Sequence, residues 1–259
     1  MDKKLSDDYR PIISYNMNKK GAQVIIILEF CITIIAMRYI NGPYYLFMFN
    51  NPWMYFFLPI SIYGLIWQFN GLTLVLSWII YQIFKLIEPP KEGEFPIDSR
   101  EYRFYCYRFW IIYYMTYVAR AMPLPWVDYL AYRIFSLKTG GNNVLYDSWI
   151  DPEFLEIGEN CMISLNTQLF SHCIYRDKFV VKRIVIEDSG IAGAGAIVAP
   201  GTVIGQGAVL GASSSTKMDQ NLKQFCIHVG TPVKLALPIK VIDEREETQS
   251  EKQEGDESS

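Results

Sequence analysis

Between positions 157 and 215 an aliphatic residue returns at every sixth place. Ile157, Ile163 and Leu169 open three successive blocks, and after an interruption Ile186, Ala192, Val198, Ile204 and Leu210 open five more. The fifth place is small throughout: Cys161, Thr167 and Cys173 before the interruption, then Gly190, Ala196, Thr202, Ala208 and Ser214. A helix repeats at 3.6 and a half-buried strand at 2, so a sustained period of six belongs to neither. It is the period of a parallel β-helix, in which each block supplies a short strand and a corner and the coils stack about 4.8 Å apart. The first place points into the prism; the fifth sits in a crowded corner. Eight inward residues at about 1.5–3 kcal/mol each give on the order of 10–20 kcal/mol of gross burial. That gain offsets the entropic cost of the glycines only because neighbouring coils form the other wall.

The first third of the chain has a different pattern. Three apolar segments, Ala22–Ile40, Trp53–Phe69 and Leu72–Ile87, precede the repeats, and residues 41–84 hold no Asp, Glu, Lys, Arg or His. A membrane span needs about 20 apolar residues. Glu29 interrupts the first segment at a cost of about 2.5–3.5 kcal/mol, which the nine Ile, Leu, Val and Phe residues from Val24 to Ile35 roughly cancel at about 0.3–0.6 each. Glu29 is therefore expected either to face a bundle partner or to reach the interface. Asn70-Gly71 and Pro59 suggest a break, which makes 41–84 either a hairpin of two spans or one span with a re-entrant arm. Lys3, Lys4, Arg10, Lys19 and Lys20 precede the first span, while Lys85, Lys91, Arg100, Arg103 and Arg108 follow the last. Basic flanks favour the cytoplasm, so the expectation is an integral membrane protein with both termini cytoplasmic and two full spans. The aromatic run 104–122 carries Arg108 and Arg120 and reads as an interfacial helix. The resulting division is a polar N-terminus (1–21), transmembrane helices (22–90), an interfacial helical connector (91–138), the β-helix (139–240) and a disordered acidic tail (241–259).

Composition narrows the function. The 259 residues carry a net charge of −3 with scattered basic residues, which excludes a nucleic-acid surface. The five cysteines form no CxxC and read as packing residues in a reduced compartment. There are two histidines, His172 and His228.

The hexads, the Ser171-His172 pair ahead of a non-repeat loop (175–185) and the closing HVGTPVK (228–234) resemble hexapeptide-repeat acyltransferases. IGENCMISLNTQLFSH with AGAGAIVAPGTVIGQGAVLGASSSTK is similar to the sugar O-acetyltransferase branch, whose pattern ends Gly-x-Pro-Ala-Lys; here Val233 replaces the Ala. A second resemblance spans roughly 70–235. KLIEPPKEGEFPIDSREYRFYCYRFW and YRIFSLKTGGNNVLYDSWIDPEFLEIGE resemble the membrane-embedded C-terminal module of poly-lysine-type peptide synthetases. That family follows its loop histidine with Phe-Glu-Asp-Arg, whereas this chain has Cys-Ile-Tyr-Arg-Asp, so acceptor specificity does not carry over. The resemblance implies a left-handed β-helix, a homotrimer, and acyl-CoA, most simply acetyl-CoA, lying between neighbouring prisms.

Acyl transfer from a thioester needs a base, an oxyanion hold and a grip on CoA. His172 stands at the fourth place of its hexad beside the large interruption and is the candidate base, since imidazole accepts protons near neutrality. Asp177, Glu187 and Asp188 are candidates to orient it. The resemblance places donor contacts at Gly193, Ala194, Gly211 and Ala212, which as glycine-rich corners have an equally good packing reason to be small. Lys217 and Lys234 are candidates for CoA phosphates, and His228 reads as structural. No metal is expected: a γ-class carbonic anhydrase needs three zinc-binding histidines, and the chain has two, 56 positions apart. Anchoring points to a membrane-associated acceptor, a small molecule or glycolipid. The alternative is a non-catalytic β-helix scaffold or oligomerisation module at the membrane.

Overall fold

The computed structural model describes residues 19–239 other than 123, 125, 176 and 177. The acidic tail, Asp177 and all but the end of the polar N-terminus lie outside the described residues.

The repeats form a three-walled prism of parallel coils. Wall one stacks β2 (Lys138–Thr139), β5 (Leu155–Ile157), β10 (Ile184–Ile186), β13 (Val203–Ile204) and β15 (Asn221–Leu222). Wall two stacks β3 (Val144–Leu145), β6 (Met162–Ile163), β11 (Ile191–Ala192), β14 (Val209–Leu210) and β16 (Cys226–Gly230), with β17 (Val233–Pro238) folded antiparallel on its edge. Wall three holds β4 (Trp149–Ile150), β7 (Gln168–Leu169) and β12 (Ile197–Val198). All eight first-place residues point inward and none is more than 4% exposed. The registers Ile186↔Ile204 and Ala192↔Leu210 place them directly above one another. Gly193 shows why a corner is small: a Cβ there would lie 2.6 Å from the Ala212 nitrogen and 2.7 Å from the Leu210 carbonyl oxygen, backbone atoms that cannot yield.

The repeat breaks at His172. What the pattern suggests as a loop is a hairpin, β8 (His172–Tyr175) with β9 (Lys178–Val181), antiparallel. Cys173 therefore lies in a hairpin arm and not in a corner, while Cys161 is buried in its corner. A third strand, β1 (Gly93–Pro96), comes from the connector and pairs with β9. Arg183 ties the sheet down by ion pairs to Glu92 (2.8 Å) and to Glu156.

The N-terminal region is a helical hairpin, α1 (Lys19–Asn50) and α2 (Leu58–Ile87), turning through a 3₁₀ segment at Pro52–Phe57. Both helices are long and apolar enough to cross a membrane. The suggested break at Asn70-Gly71 is absent: α2 runs straight through, with the Asn70 amide donating to the Ile66 carbonyl at 2.9 Å. Pro59 sits in the first turn, where its missing N–H costs nothing. The turn lies instead at Asn51, whose side chain donates to Phe47 (2.8 Å) ahead of Pro52. Polar pairs set the register of the hairpin. Ser77 donates to Glu29, Asn41 donates to Gln68 at 2.7 Å, and Tyr44 bonds Ser61. Glu29 is thus the bundle-facing residue of the two expected alternatives.

The aromatic run becomes α3 (Arg100–Arg120), whose N-cap Ser99 accepts from the Tyr102 N–H at 3.1 Å. The helix has protein on two sides, while Tyr113 and Tyr117 stay exposed on another. Ile111, Ile112, Met115 and Ala119 pack with Tyr81 of α2 and with Ala131 of α4 (Val127–Ile134). Tyr102, Tyr105 and Cys106 pack with Phe154, Phe179 and Val181 of the β-helix and its hairpin. Arg108, expected among the flanking charges, is buried in an ion pair with Glu153 (2.7 Å) and donates to the Glu88 carbonyl (2.8 Å).

Candidate active site

The site forms where the hairpin leaves wall three and α3 crosses it. Leu169 pins the end of β7 inside the prism, so the chain two residues on leaves the coil with His172 as its first strand residue. The imidazole sits among Tyr105, Phe109, Phe170 and Phe179, with ring centroids 5.3–6.2 Å away. Its Nδ1 lies 2.6 Å from the Tyr105 hydroxyl and 3.4 Å from Asp151 Oδ2, and the Tyr105 hydroxyl donates to that same Asp151 oxygen.

This chain of bonds determines the tautomer. Tyr105 has one proton and gives it to Asp151, so towards His172 it can only accept, and Nδ1 must carry the hydrogen. Nε2 then holds the lone pair and has no hydrogen-bond partner among the described residues. Burial, with the Asp151 charge adding to it, holds the Tyr105 hydroxyl well above its ordinary pKa, so it stays a donor. Cys106 is no rival nucleophile, because burial pushes its thiol up to about 12. Behind Asp151 lies the Arg108–Glu153 pair; burial raises the Glu153 carboxyl despite its arginine.

Nε2 belongs to a residue that closes one end of a narrow cavity of about 70 Å³ between α3 and the coils. Phe109, Ile112, Tyr113, Thr116 and Tyr117 line the helical side, and Trp149, Ile150, Pro152 and Phe170 the other. Trp149 stacks on Tyr113 with centroids 5.5 Å apart.

Other expected residues lie elsewhere. Glu187 and Asp188 do not orient His172: their carboxylates accept from the Gln206 and Glu159 N–H groups at 2.8 Å each. Tyr105 and Asp151 take that position, and neither was singled out in the sequence. Asp151 had a signal. The coil register extends one turn upstream, with Leu145↔Ile163 and Ile150↔Leu169, so Asp151 is stacked one coil from the segment that ends in His172. Gly193, Ala194, Gly211 and Ala212 line one corner, after wall two, whereas His172 stands after wall three; a single chain does not bring them together. The Gly193 and Gly211 N–H groups bond Leu210 and His228 carbonyls at 2.8 Å, while Ala194 and Ala212 are exposed. Lys217 and Lys234 are exposed. His228 is buried and donates from Nε2 to the Lys223 carbonyl at 2.9 Å. All five cysteines are free, and no group of three potential metal ligands occurs among the described residues.

Comparison with known proteins matches about half of the chain. It is 25% identical over 133 residues to YvoF of Bacillus subtilis (strain 168), whose name assigns it provisionally as an acetyltransferase. The match covers 49% of this chain and 76% of that one. The chain is similar to acetyltransferases. A maltose O-acetyltransferase from Clostridium difficile 630 superimposes with a TM-score of 0.48 at 17% identity, covering 57% of this chain and 94% of that one. A hexapeptide-repeat acetyltransferase of Vibrio cholerae O1 biovar eltor, complexed with acetyl-CoA, gives 0.43 at 18%, covering 60% and 98%. No family model matches the chain.

Proposed function

We propose that this chain is a membrane-anchored acyltransferase that moves an acyl group, acetyl in the simplest case, from acyl-CoA to a hydroxyl or amine of a membrane-associated acceptor. The observation that carries the reading is His172: an imidazole with its tautomer set by Tyr105 and Asp151, its Nε2 without a hydrogen-bond partner among the described residues, in the lining of a cavity. A scaffold has no use for that arrangement. The similarity to acetyltransferases, one of them holding acetyl-CoA, supports the donor.

In the reaction Nε2 takes the acceptor proton as the acceptor oxygen or nitrogen attacks the thioester carbonyl. The C–S bond breaks, and the imidazolium returns the proton to the CoA sulfur, giving the ester or amide and free thiol. Asp151, through Tyr105, stabilises the transient imidazolium. The corner bearing Ala194 and Ala212 stands on another edge of the prism, so a neighbouring copy would supply it. That division supports a homotrimer of left-handed coils, with acyl-CoA between prisms and Lys217 or Lys234 near its phosphates. The hairpin α1–α2 would span the bilayer with both ends on the cytoplasmic side, in keeping with its exposed apolar surface and basic flanks.

The first test is the melting temperature of the detergent-solubilised protein with acetyl-CoA. At 100 times Kd, binding to the native state adds about 2.7 kcal/mol, a shift of several degrees at this size. No shift with acetyl-, succinyl- or longer acyl-CoA would remove the donor and with it the reading.

A further inference from the structure

We infer that the cavity beside His172 is a lateral channel for one hydrocarbon chain, and that the acceptor is a neutral lipid alcohol entering from the bilayer with its hydroxyl leading. The inference rests on the acyltransferase reading of His172 and adds the substrate class.

Four observations carry it. First, the helical lining recurs at Phe109, Ile112, Tyr113, Thr116, Tyr117 and Arg120, one continuous face of α3. Eleven residues at 1.5 Å rise make a path of about 16 Å from His172 outward. Second, the path is thin. Its volume is about 70 Å³, which, spread along that face of α3, leaves the width of a single chain more readily than that of a ring.

Third, the direction is given by packing. Phe84 of α2 lies against Phe104 and Tyr107 of α3, with ring centroids at 5.8 and 5.5 Å, while Leu74, further back along α2, packs on the cluster that holds Ile111, Met115 and Ala119 of α3. The helices are therefore antiparallel, and the Arg120 end of α3 points toward the apolar turn of the hairpin. Tyr117, which lines the cavity toward that end, is 72% exposed, and α1 and α2 carry many exposed apolar side chains of their own. Fourth, the charges reject an anionic headgroup. Asp151 stands at the inner end, and Arg120 at the outer end spends its terminal nitrogens on Asp147 (3.1 Å) and the Ser148 carbonyl (2.6 Å). A phosphate passing to His172 would meet a carboxylate and no uncommitted cation in the lining.

The test uses the full chain in phosphatidylcholine nanodiscs with saturating acetyl-CoA and straight-chain primary alcohols from butanol to dodecanol. The expected result is a kcat/KM that rises about two- to fourfold per methylene and levels off once the chain fills the path. Thr116→Phe, which plugs the path beyond the base, should lower the dodecanol rate at least tenfold more than the butanol rate. Should that variant fold poorly, 6-bromohexan-1-ol provides a second readout, since its bromine would lie near the Tyr113–Trp149 stack and quench Trp149 fluorescence more than that of 11-bromoundecan-1-ol, which would lie beyond it, and Trp149→Phe isolates that signal. Equal rates at all lengths, or transfer to glucose or maltose with no preference for long alcohols, would overturn the channel and leave the acyltransferase standing. Chain-dependent quenching without acyl transfer to any alcohol would support the channel and remove the acyltransferase. Absence of both the length dependence and the quenching would overturn the inference.

Discussion

At the scale of single residues, the site depends on one phenolic oxygen. Tyr105 joins His172 to Asp151, and without it the direct Nδ1–Oδ2 distance of 3.4 Å makes only a weak bond. Tyr105→Phe should keep the aromatic packing, cost about 1–3 kcal/mol by taking the donor from the buried Asp151, and lower kcat about 10- to 100-fold. His172→Ala should cost about 10²–10⁴ in kcat with acetyl-CoA binding retained, read as an unchanged thermal shift. The same oxygen explains why the sequence showed half of the site. His172 stood out because it interrupts a repeat; Tyr105 is one of many aromatics in a helix that lies 67 positions from it and has no period in common with the hexads. A second prediction concerns Tyr132, whose hydroxyl burial pushes up to about 12. The unfolded chain loses that proton near 10, so the folded state holds more protons between those values and stability falls as pH rises from 10 to 12. The loss approaches about 2–3 kcal/mol. Urea midpoints of Tyr132→Phe should fall less steeply over that window than those of the parent.

At the scale of elements, α3 is the piece that makes the chain more than a β-helix with a tail. Its two sides are held by different means: apolar packing against α2 and α4, and the Arg108–Glu153 pair against the coils. Both partners of that pair are 2% exposed at the side chain. Removing Glu153 by Ala would strand a buried guanidinium and should cost about 3–5 kcal/mol, whereas the double replacement Arg108→Met with Glu153→Leu should recover much of it. Denaturant titration of the two variants beside the parent distinguishes an ion pair from mere packing. The aromatic composition of α3 was evident from the sequence, but its role was not. Aromatics on every face give no sign of which partners a helix has, and the contact with the coils shows only once Glu153 is seen beside Arg108. The hairpin insert tells a similar story. A break in the hexads marked it as irregular, while its pairing with β1 depends on residues more than eighty positions away.

At the scale of the molecule, His172 sits where α3 crosses the prism, and α3 in turn packs on the helical hairpin. The exposed apolar residues Ile34 and Val75 lie on the hairpin near the middle of α1 and α2. Replacing either by Arg should cost about 2.5–3.5 kcal/mol of membrane insertion and shift the protein toward the soluble fraction in liposome flotation, with acetyl-CoA binding unaffected. Retention of both variants on liposomes would remove the hairpin as the anchor.

The sequence by itself determined the prism, the apolar hairpin and the suspicion attached to His172, because each is a local or periodic signal. Stacked coils need an inward aliphatic every sixth residue, a membrane-length helix needs an unbroken apolar run, and a repeat advertises its own interruptions. The tertiary structure alone decided what acts on His172 and what reaches it. Tyr105 meets Asp151 across 46 positions, Arg183 meets Glu92 across 91, and the channel exists only where α3 lies over wall three. Such meetings are made by packing of elements with unrelated periods, so no pattern along the chain encodes them until the chain has folded.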